Sequence, residues 1–434
     1  MKKIITIAAL LAMGTGVVAQ EKVPSHLDQW IQASFENFPN IRSAKLQQQL
    51  AEDYVQYQKG NLLPTVSGTA NYHYLYPAPS IQFPGSDLAF QPFPNHNYSV
   101  AVQARQLITD FGRTESEVKK AQTSVEQSAL QTEEVKEQLA YEISRLYLNL
   151  AFVEKSIEVQ NANIQVLEET EKLVQSRIKN GDALDLDLLN VQVQLENSRN
   201  QRKDFQNAEE KLLASIAYLT GTDPINISKD ESALNWTTEL LASKSMEESF
   251  ESNTAVKLAK TEEEIASTEL HTAEASHMPS LYVDAAAGFK NGYLPLLDET
   301  KFNYSAGITL SVPIYHGKKL NRQQEMARKK LDIAKLSTEN TESSLHKEWR
   351  QVLADIETNQ EKLNSSQTLI QQAERALEIA KAQYKHGVIT YVDLQNANNA
   401  LLQARLTQLH NRYQLSNAQL EALRLQSEHF WQEG

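Results

Sequence analysis

Cysteine is absent from the 434 residues. That excludes a disulfide scaffold, thiolate metal sites and cysteine nucleophiles. Glycine occurs 14 times and proline 12 times, about half their usual share, so the chain is neither loop-rich nor disordered. Long apolar runs are missing beyond the first residues, and mean hydropathy is −0.48. A bundle of membrane-spanning helices is therefore excluded. Excess positive charge is missing too: 42 Lys and Arg stand against 55 Asp and Glu, a net charge of −13. No basic surface is available to neutralise a phosphate backbone, so nucleic acid is not an expected partner.

The one apolar run, Ile4 to Met13, follows Lys2 and Lys3 and is too short to span a bilayer. Val17-Val18-Ala19 supplies small residues for cleavage before Gln20. Residues 1–19 read as a secretory signal peptide. Removing its two lysines takes the net charge from −13 to −15. The residue after the cut is not cysteine, so membrane attachment is expected from the fold and not from a lipid anchor.

Everything after the leader is one unit written twice. Asn61-Leu62-Leu63-Pro64-Thr65-Val66 returns as Ser276-His277-Met278-Pro279-Ser280-Leu281, and Tyr98-Ser99-Val100 as Tyr304-Ser305-Ala306. Asp110-Phe111-Gly112-Arg113 returns as Tyr315-His316-Gly317-Lys318, Lys179-Asn180-Gly181 as Lys385-His386-Gly387, and Asp187-Leu188 as Asp393-Leu394. The expected organisation is a first repeat over 20–221, an equatorial connector over 222–247, a second repeat over 248–427 and a short tail over 428–434. Each repeat reads as helix, strand, loop, strand, very long helix, tight turn and long helix.

The strands are expected at about 65–76, 97–108, 280–290 and 302–314. In the first, Val66, Gly68, Ala70, Tyr72, Tyr74 and Tyr76 alternate with Ser67, Thr69, Asn71, His73 and Leu75. In the last, Phe302, Tyr304, Ala306, Ile308, Leu310, Val312 and Ile314 share one face. Apolar-out, polar-in segments of about this length are what a tilted strand needs to cross a bilayer. Four strands cannot close a barrel with a water-filled interior, and an open sheet edge is not tolerated in lipid. A barrel shared between chains follows, of eight strands from two chains or twelve from three.

From Arg113 to Lys179 there is neither proline nor glycine, and an apolar seam runs in alternating steps of three and four, with polar members at Ser128, Thr132, Gln160 and Glu171. Long helices are expected over 113–180, 185–219, 318–386 and 391–425, the first of each pair roughly 100 Å long. Gly181 and Gly387 fit the left-handed position that ends a helix.

The duplication, the Leu63-Pro64 and Met278-Pro279 entries into strands, the Phe111-Gly112-Arg113 exit and the Tyr384-x-x-Gly387-x₅-Asp393-Leu394 tip together resemble the TolC-like outer-membrane factors of bacterial efflux pumps and type I secretion systems. The resemblance spans essentially the whole mature chain. It implies a mixed α and β membrane protein: a homotrimer whose twelve transmembrane β-strands form one barrel in outer-membrane lipid, above a periplasmic α-barrel of long antiparallel coiled-coil helices. It also implies a passive, gated exit duct that meets a periplasmic adaptor (membrane fusion) protein, through which an inner-membrane transporter drives export. Multidrug efflux, metal efflux and protein secretion all use such ducts, so the cargo stays open.

The family narrows its duct at the hairpin ends with acidic and hydrogen-bonding residues. The matching periplasmic gate residues are Asp187, Asp393 and Tyr384. Asp187 and Asp393 also fall in the first turns of their helices, where an acid favours the dipole, and Thr390 to Asp393 reads as a capping box. The hairpin tips Gly181, Ala183, Leu184, Gly387, Val388 and Ile389 are the expected adaptor contacts. Two positions depart from the family's pattern. Ile389 stands where some members carry a locking arginine, and Asn396 where a second acid can follow, so neither the ion-pair latch nor a second acidic ring is expected. No catalytic constellation, metal cluster, nucleotide loop or cofactor site is expected, and no enzymatic activity. The competing reading is a soluble periplasmic coiled-coil scaffold or adaptor, which leaves four alternating strands of membrane length unexplained.

Overall fold

A computed structural model describes residues 24–82, 84–85, 89–222, 234–237, 250, 252–427, 429 and 431. The leader, most of the connector and much of the tail lie outside the described residues. The described residues begin with two helices, α1 (Ser25–Asn37) and α2 (Pro39–Gly60, with proline in its first turn). Strand β1 (Thr65–Tyr74), a two-residue ribbon β2 (Ile81–Gln82) and β3 (Ala89–Phe90), and strand β4 (His96–Thr109) follow. Helix α3 (Arg113–Lys179) and helix α4 (Asp185–Thr220) form the first long hairpin. The second half repeats the pattern with α5 (Thr254–Ala275), β5 (Ser280–Lys290), β6 (Lys301–Ser311), α6 (Lys319–Lys385) and α7 (Tyr391–Leu425).

The strands form one antiparallel sheet in the order β1-β4-β5-β6. Its register aligns the alternating patterns of segments far apart in sequence. Val66, Ala104, Ala285 and Ala306 share a row, and Gly68, Val102, Ala287 and Tyr304 the next on the same face, followed by Ala70, Val100, Phe289 and Phe302. The opposite face carries Thr65, Arg105, Asp284 and Gly307, then Ser67, Gln103, Ala286 and Ser305. One face is mainly apolar and the other mainly polar, with Gln106 and His96 as polar members of the first. Two strands stop sooner than the alternation suggests: β1 ends at Tyr74, short of Pro77, and β6 at Ser311, short of Pro313. Neither proline can donate to a ladder.

The exit from β4 into α3 turns on two left-handed residues, Phe111 (φ 55°) and Gly112 (φ 95°). Asp110 caps the helix by accepting from the Thr114 amide at 3.0 Å and the Thr114 hydroxyl at 2.5 Å. Beside the sheet the helices pack in the row α2, α3, α5, α6; away from it the row is α4, α3, α7, α6. Only α3 and α6, each 67 residues long, run the full length.

The main apolar cluster sits at the equator, where Leu27, Trp30 and Ile31 of α1 meet Ile143, Tyr147 and Leu150 of α3 and Leu420 and Leu423 of α7. Leu234 and Trp236 of the connector join it. Lower down, polar side chains of α3 bond across the helices. The Gln160 side-chain amide donates to the Ser198 carbonyl (3.1 Å), that of Asn163 to the Ser198 hydroxyl (2.9 Å), and that of Asn398 to Asn163 (3.0 Å). Buried and mutually bonded, these groups tie the two hairpins in one register.

Candidate functional site

Both long hairpins turn by the same device. At the end of α3 the Asp182 amide donates to the Arg177 carbonyl (2.9 Å) and the Gly181 amide to that of Ile178 (2.9 Å), with Gly181 at φ 81°. At the end of α6 the Val388 amide donates to Gln383 and the Gly387 amide to Tyr384, both at 3.0 Å, with Gly387 at φ 75°. This 6→1 and 5→2 pairing satisfies the last carbonyls of a helix and needs a left-handed residue, which glycine supplies without strain.

The returning helices are capped by the two aspartates. The Asp393 carboxylate accepts from the Thr390 amide (3.0 Å) and hydroxyl (2.7 Å), and the Asp393 amide donates back to the Thr390 hydroxyl (3.3 Å). Asp187 makes only the return half, accepting from the Leu184 amide at 3.3 Å, because a leucine side chain has no acceptor. The Thr390 hydrogen bonds hold the Asp393 carboxyl below its ordinary value of 3.8. A folded-state value that is depressed contributes stability above the unfolded value and loses it as pH falls through the folded one. Protection of the first-turn amides of α7 against hydrogen exchange, taken relative to the intrinsic rate at each pH, should therefore fall below about pH 4. Asp393→Asn should flatten that acid response; an unchanged acid response in Asp393→Asn would remove the carboxylate from the cap.

Tyr384 and Tyr391 lie between the hairpins, each 2% exposed, edge to face at 6.4 Å. Burial raises the Tyr384 phenol, and burial together with Tyr384 and Asp187 pushes Tyr391 up to about 12. Tyr384 is thus a packed residue of the tip cluster with Val174, Val191, Leu377 and Leu394, not a side chain standing in open water. Of the six apolar turn residues, Leu184 (66% exposed) and Val388 (69%) project outward. Ala183 is half-buried, and Ile389 packs against the tip cluster.

One side chain joins the two tips, and the sequence did not single it out. Arg177, in the last turn of α3, donates to the Tyr384 carbonyl at 2.7 Å and to the Asp182 carbonyl at 2.8 Å. Its guanidinium lies 4.5 Å from the Tyr384 ring centroid. It fits so closely over Gly387 that a Cβ there would come within 3.3 Å of its Nη2. A base in the last helical turn is an ordinary dipole partner. Its reach to a carbonyl 207 residues away is visible only in the fold.

No described helix is long and apolar enough to cross a membrane. A sheet with one mainly apolar face and two unpaired edges, mounted on helices of up to roughly 100 Å, defines the subunit of a channel that enters lipid by strands. The family model described as outer membrane efflux protein matches residues 30–222 and 246–425, and the chain belongs to that family. It is 24% identical over 408 residues to the toluene efflux pump outer membrane protein TtgC of Pseudomonas putida, covering 90% of this chain and 82% of that protein. It is 21% identical over 421 residues to the outer membrane protein TolC of Vibrio cholerae, covering 95% and 92%. The crystal structure of the outer membrane protein VceC of Vibrio cholerae has the same fold, with a TM-score of 0.77 and 18% identity over 93% of this chain and 96% of that one. The protein is an outer-membrane efflux channel with a helical tunnel in the periplasm.

Proposed function

We propose that three copies close head to tail into one twelve-stranded barrel and one helical duct, which works as the passive, gated exit of a tripartite export system. The observation that carries this reading is the pair of open sides. β1 and β6 each have a free edge, and the helices beside them bear exposed apolar stripes. On α2 the stripe is Leu46, Leu50, Tyr54 and Tyr57; on α6 it is Met326, Ile333 and Leu336. Unlike surfaces on opposite sides make a heterologous contact, which closes into a ring when the rotation allows. Three copies give the strand number that leaves an aqueous lumen, and closure removes the edges that lipid forbids.

At the far end Asp187 and Asp393, three copies of each, furnish the acidic gate, with Tyr384 packed behind them. Leu184 and Val388, with Gly181, Ala183, Gly387 and Ile389 around them, form the surface for a periplasmic adaptor, through which an inner-membrane transporter supplies energy. Exposed apolar groups at a turn fit such a partner better than they fit water.

Single-channel recording in a planar bilayer tests the reading. Mature protein from outer membrane should insert as a trimer with small resting conductance and a preference for cations. Asp187→Ala with Asp393→Ala should lower that preference. Leu50→Glu or Ile333→Glu should leave monomers. A folded, oligomeric protein that never inserts would favour the soluble scaffold instead.

A further inference from the structure

The strands distribute their charge unevenly. In β1, β4, β5 and β6 the charged side chains at neutral pH are Arg105, Asp284, Lys290 and Lys301, three bases and a single acid. All four fall on the polar face. Arg105 and Asp284 share the register row with Thr65 and Gly307, next to the helices. Lys290 and Lys301 share a row with Asn71 and Ser99, six residues along the strand and about 20 Å away. Lys301 also lies 3.5 Å from Glu299 in the loop before it. The acidic excess of the chain therefore belongs to its helices and loops, while the strands are basic.

The one strand carboxylate is held by its neighbours. Arg105 Nε stands 3.4 Å from Asp284, and the Thr309 hydroxyl donates to the other carboxylate oxygen at 2.8 Å. The Arg105 guanidinium lies 4.1 Å from the centroid of the Tyr282 ring, which fixes its plane. Ser67, Ala286, Ser305 and Gly307 surround the pair in an open depression, so both charges stand above a floor of small residues. They remain 54% and 40% exposed.

We infer that Arg105 and Asp284 form a charge-compensated collar at the helical end of the barrel and act as specificity determinants of the channel. The inference rests on the trimeric-barrel reading above. Arg105 cancels the carboxylate that would otherwise extend the acidic lining of the duct into the barrel. Beyond the collar the charged residues of the strands are Lys290 and Lys301, with Glu299 in the loop offsetting the second, so solutes leave an acidic tunnel through a lumen of basic strands. Anionic and uncharged solutes pass this step readily, and cationic solutes meet a barrier there.

A chain without cysteine allows a local test. Ser305→Cys sits one pleat repeat, about 7 Å, along the strand from the collar row. Its labelling rates with a cationic and an anionic methanethiosulfonate, each normalised to free cysteine, report the local potential whatever the hairpin gate does. In 0.1 M salt the anionic reagent is expected to be favoured, and 1 M salt should bring the ratio to parity. Asp284→Asn should shift the ratio about threefold further toward the anion, and Arg105→Gln about threefold toward the cation, as a unit charge at that distance in screened water predicts. The double variant should return near the start. Ratios unmoved by either substitution, or cation preference in the Ser305→Cys protein at low salt, overturn the collar while leaving the channel intact. The salt series needs no collar variant and decides the question if those fail to insert. An unreactive Ser305→Cys beside a reactive Ala306→Cys would instead reverse the two faces and sink the barrel reading itself.

Discussion

Gly288→Ala should nearly abolish trimeric barrel in the outer membrane. A Cβ at Gly288 would lie 2.1 Å from the Val100 carbonyl oxygen and 2.6 Å from the Ala101 Cα. Both are backbone atoms of the paired strand and have no rotamer by which to move away. β4 and β5 would have to part at the Ala101–Gly288 pair, in the middle of the sheet. Overpacking of this kind costs about 1–3 kcal/mol or more, and it recurs in every chain of the ring. At about 2 kcal/mol per chain the assembled barrel loses about 6 kcal/mol, a large part of the margin of an ordinary domain. Gly68→Ala and Gly307→Ala are the controls, since a Cβ at either meets nothing within 4 Å. Both should insert at least as well as the parent, because glycine within a strand is itself destabilising. The check is the yield of detergent-resistant oligomer from outer membrane. Equal yields for all three variants would mean that the strands do not approach as closely as the sheet requires.

The second large effect is expected at the hairpin tips. Arg177→Ala removes two hydrogen bonds from a charged donor to carbonyls on two different hairpins, together with the contact over the Tyr384 ring. Charge-assisted bonds of this type contribute about 1.5–3 kcal/mol. A net loss of about 2 kcal/mol changes a closed-to-open ratio about thirtyfold. Resting conductance should therefore rise and closed times shorten. Arg177→Lys keeps the charge but not the planar fork, so it should recover one bond at most and remain leaky. Circular dichroism should hardly change, because most of the length of the hairpins packs far from the tip. A resting conductance equal to the parent's would show that Arg177 only finishes a helix and does not hold the tips together. A rise would place the latch at this tip on Arg177, in the last turn of α3. The position where some family members carry a locking arginine is Ile389, which packs into the tip cluster, while an arginine from the opposite hairpin ties the two turns.

Much of this architecture was legible because it rests on local rules that act twice. The helix breakers are few, so the uninterrupted stretch from Arg113 to Lys179 and its step-of-three-and-four seam announce a helix that the structure runs over those same residues. The turn glycines were legible for the same reason, since few other residues accept φ near 80°, and Gly181 and Gly387 have φ 81° and 75°. The Thr390 cap was readable as a motif and is made with both of its bonds. The strand ends were less legible, because alternation continues past Tyr74 and Ser311 while the ladder does not. The tip was the least legible. The side of Tyr384 that is covered, the inward turn of Ile389 and the partner of Arg177 are contacts between hairpins some 200 residues apart, and no local pattern encodes them.

The long helices, the doubled pattern and the amphipathic strands were readable from the chain alone. Those follow from periodicity and backbone sterics, which act over a few residues. Which strands are neighbours, and in what register, is settled by the folded sheet. That register brings Arg105 against Asp284, and Gly288 under Val100 and Ala101, across a connection of more than 170 residues. Pairing of this kind is set by the fit of whole faces, because a slip of one residue would turn every apolar side chain from lipid toward water.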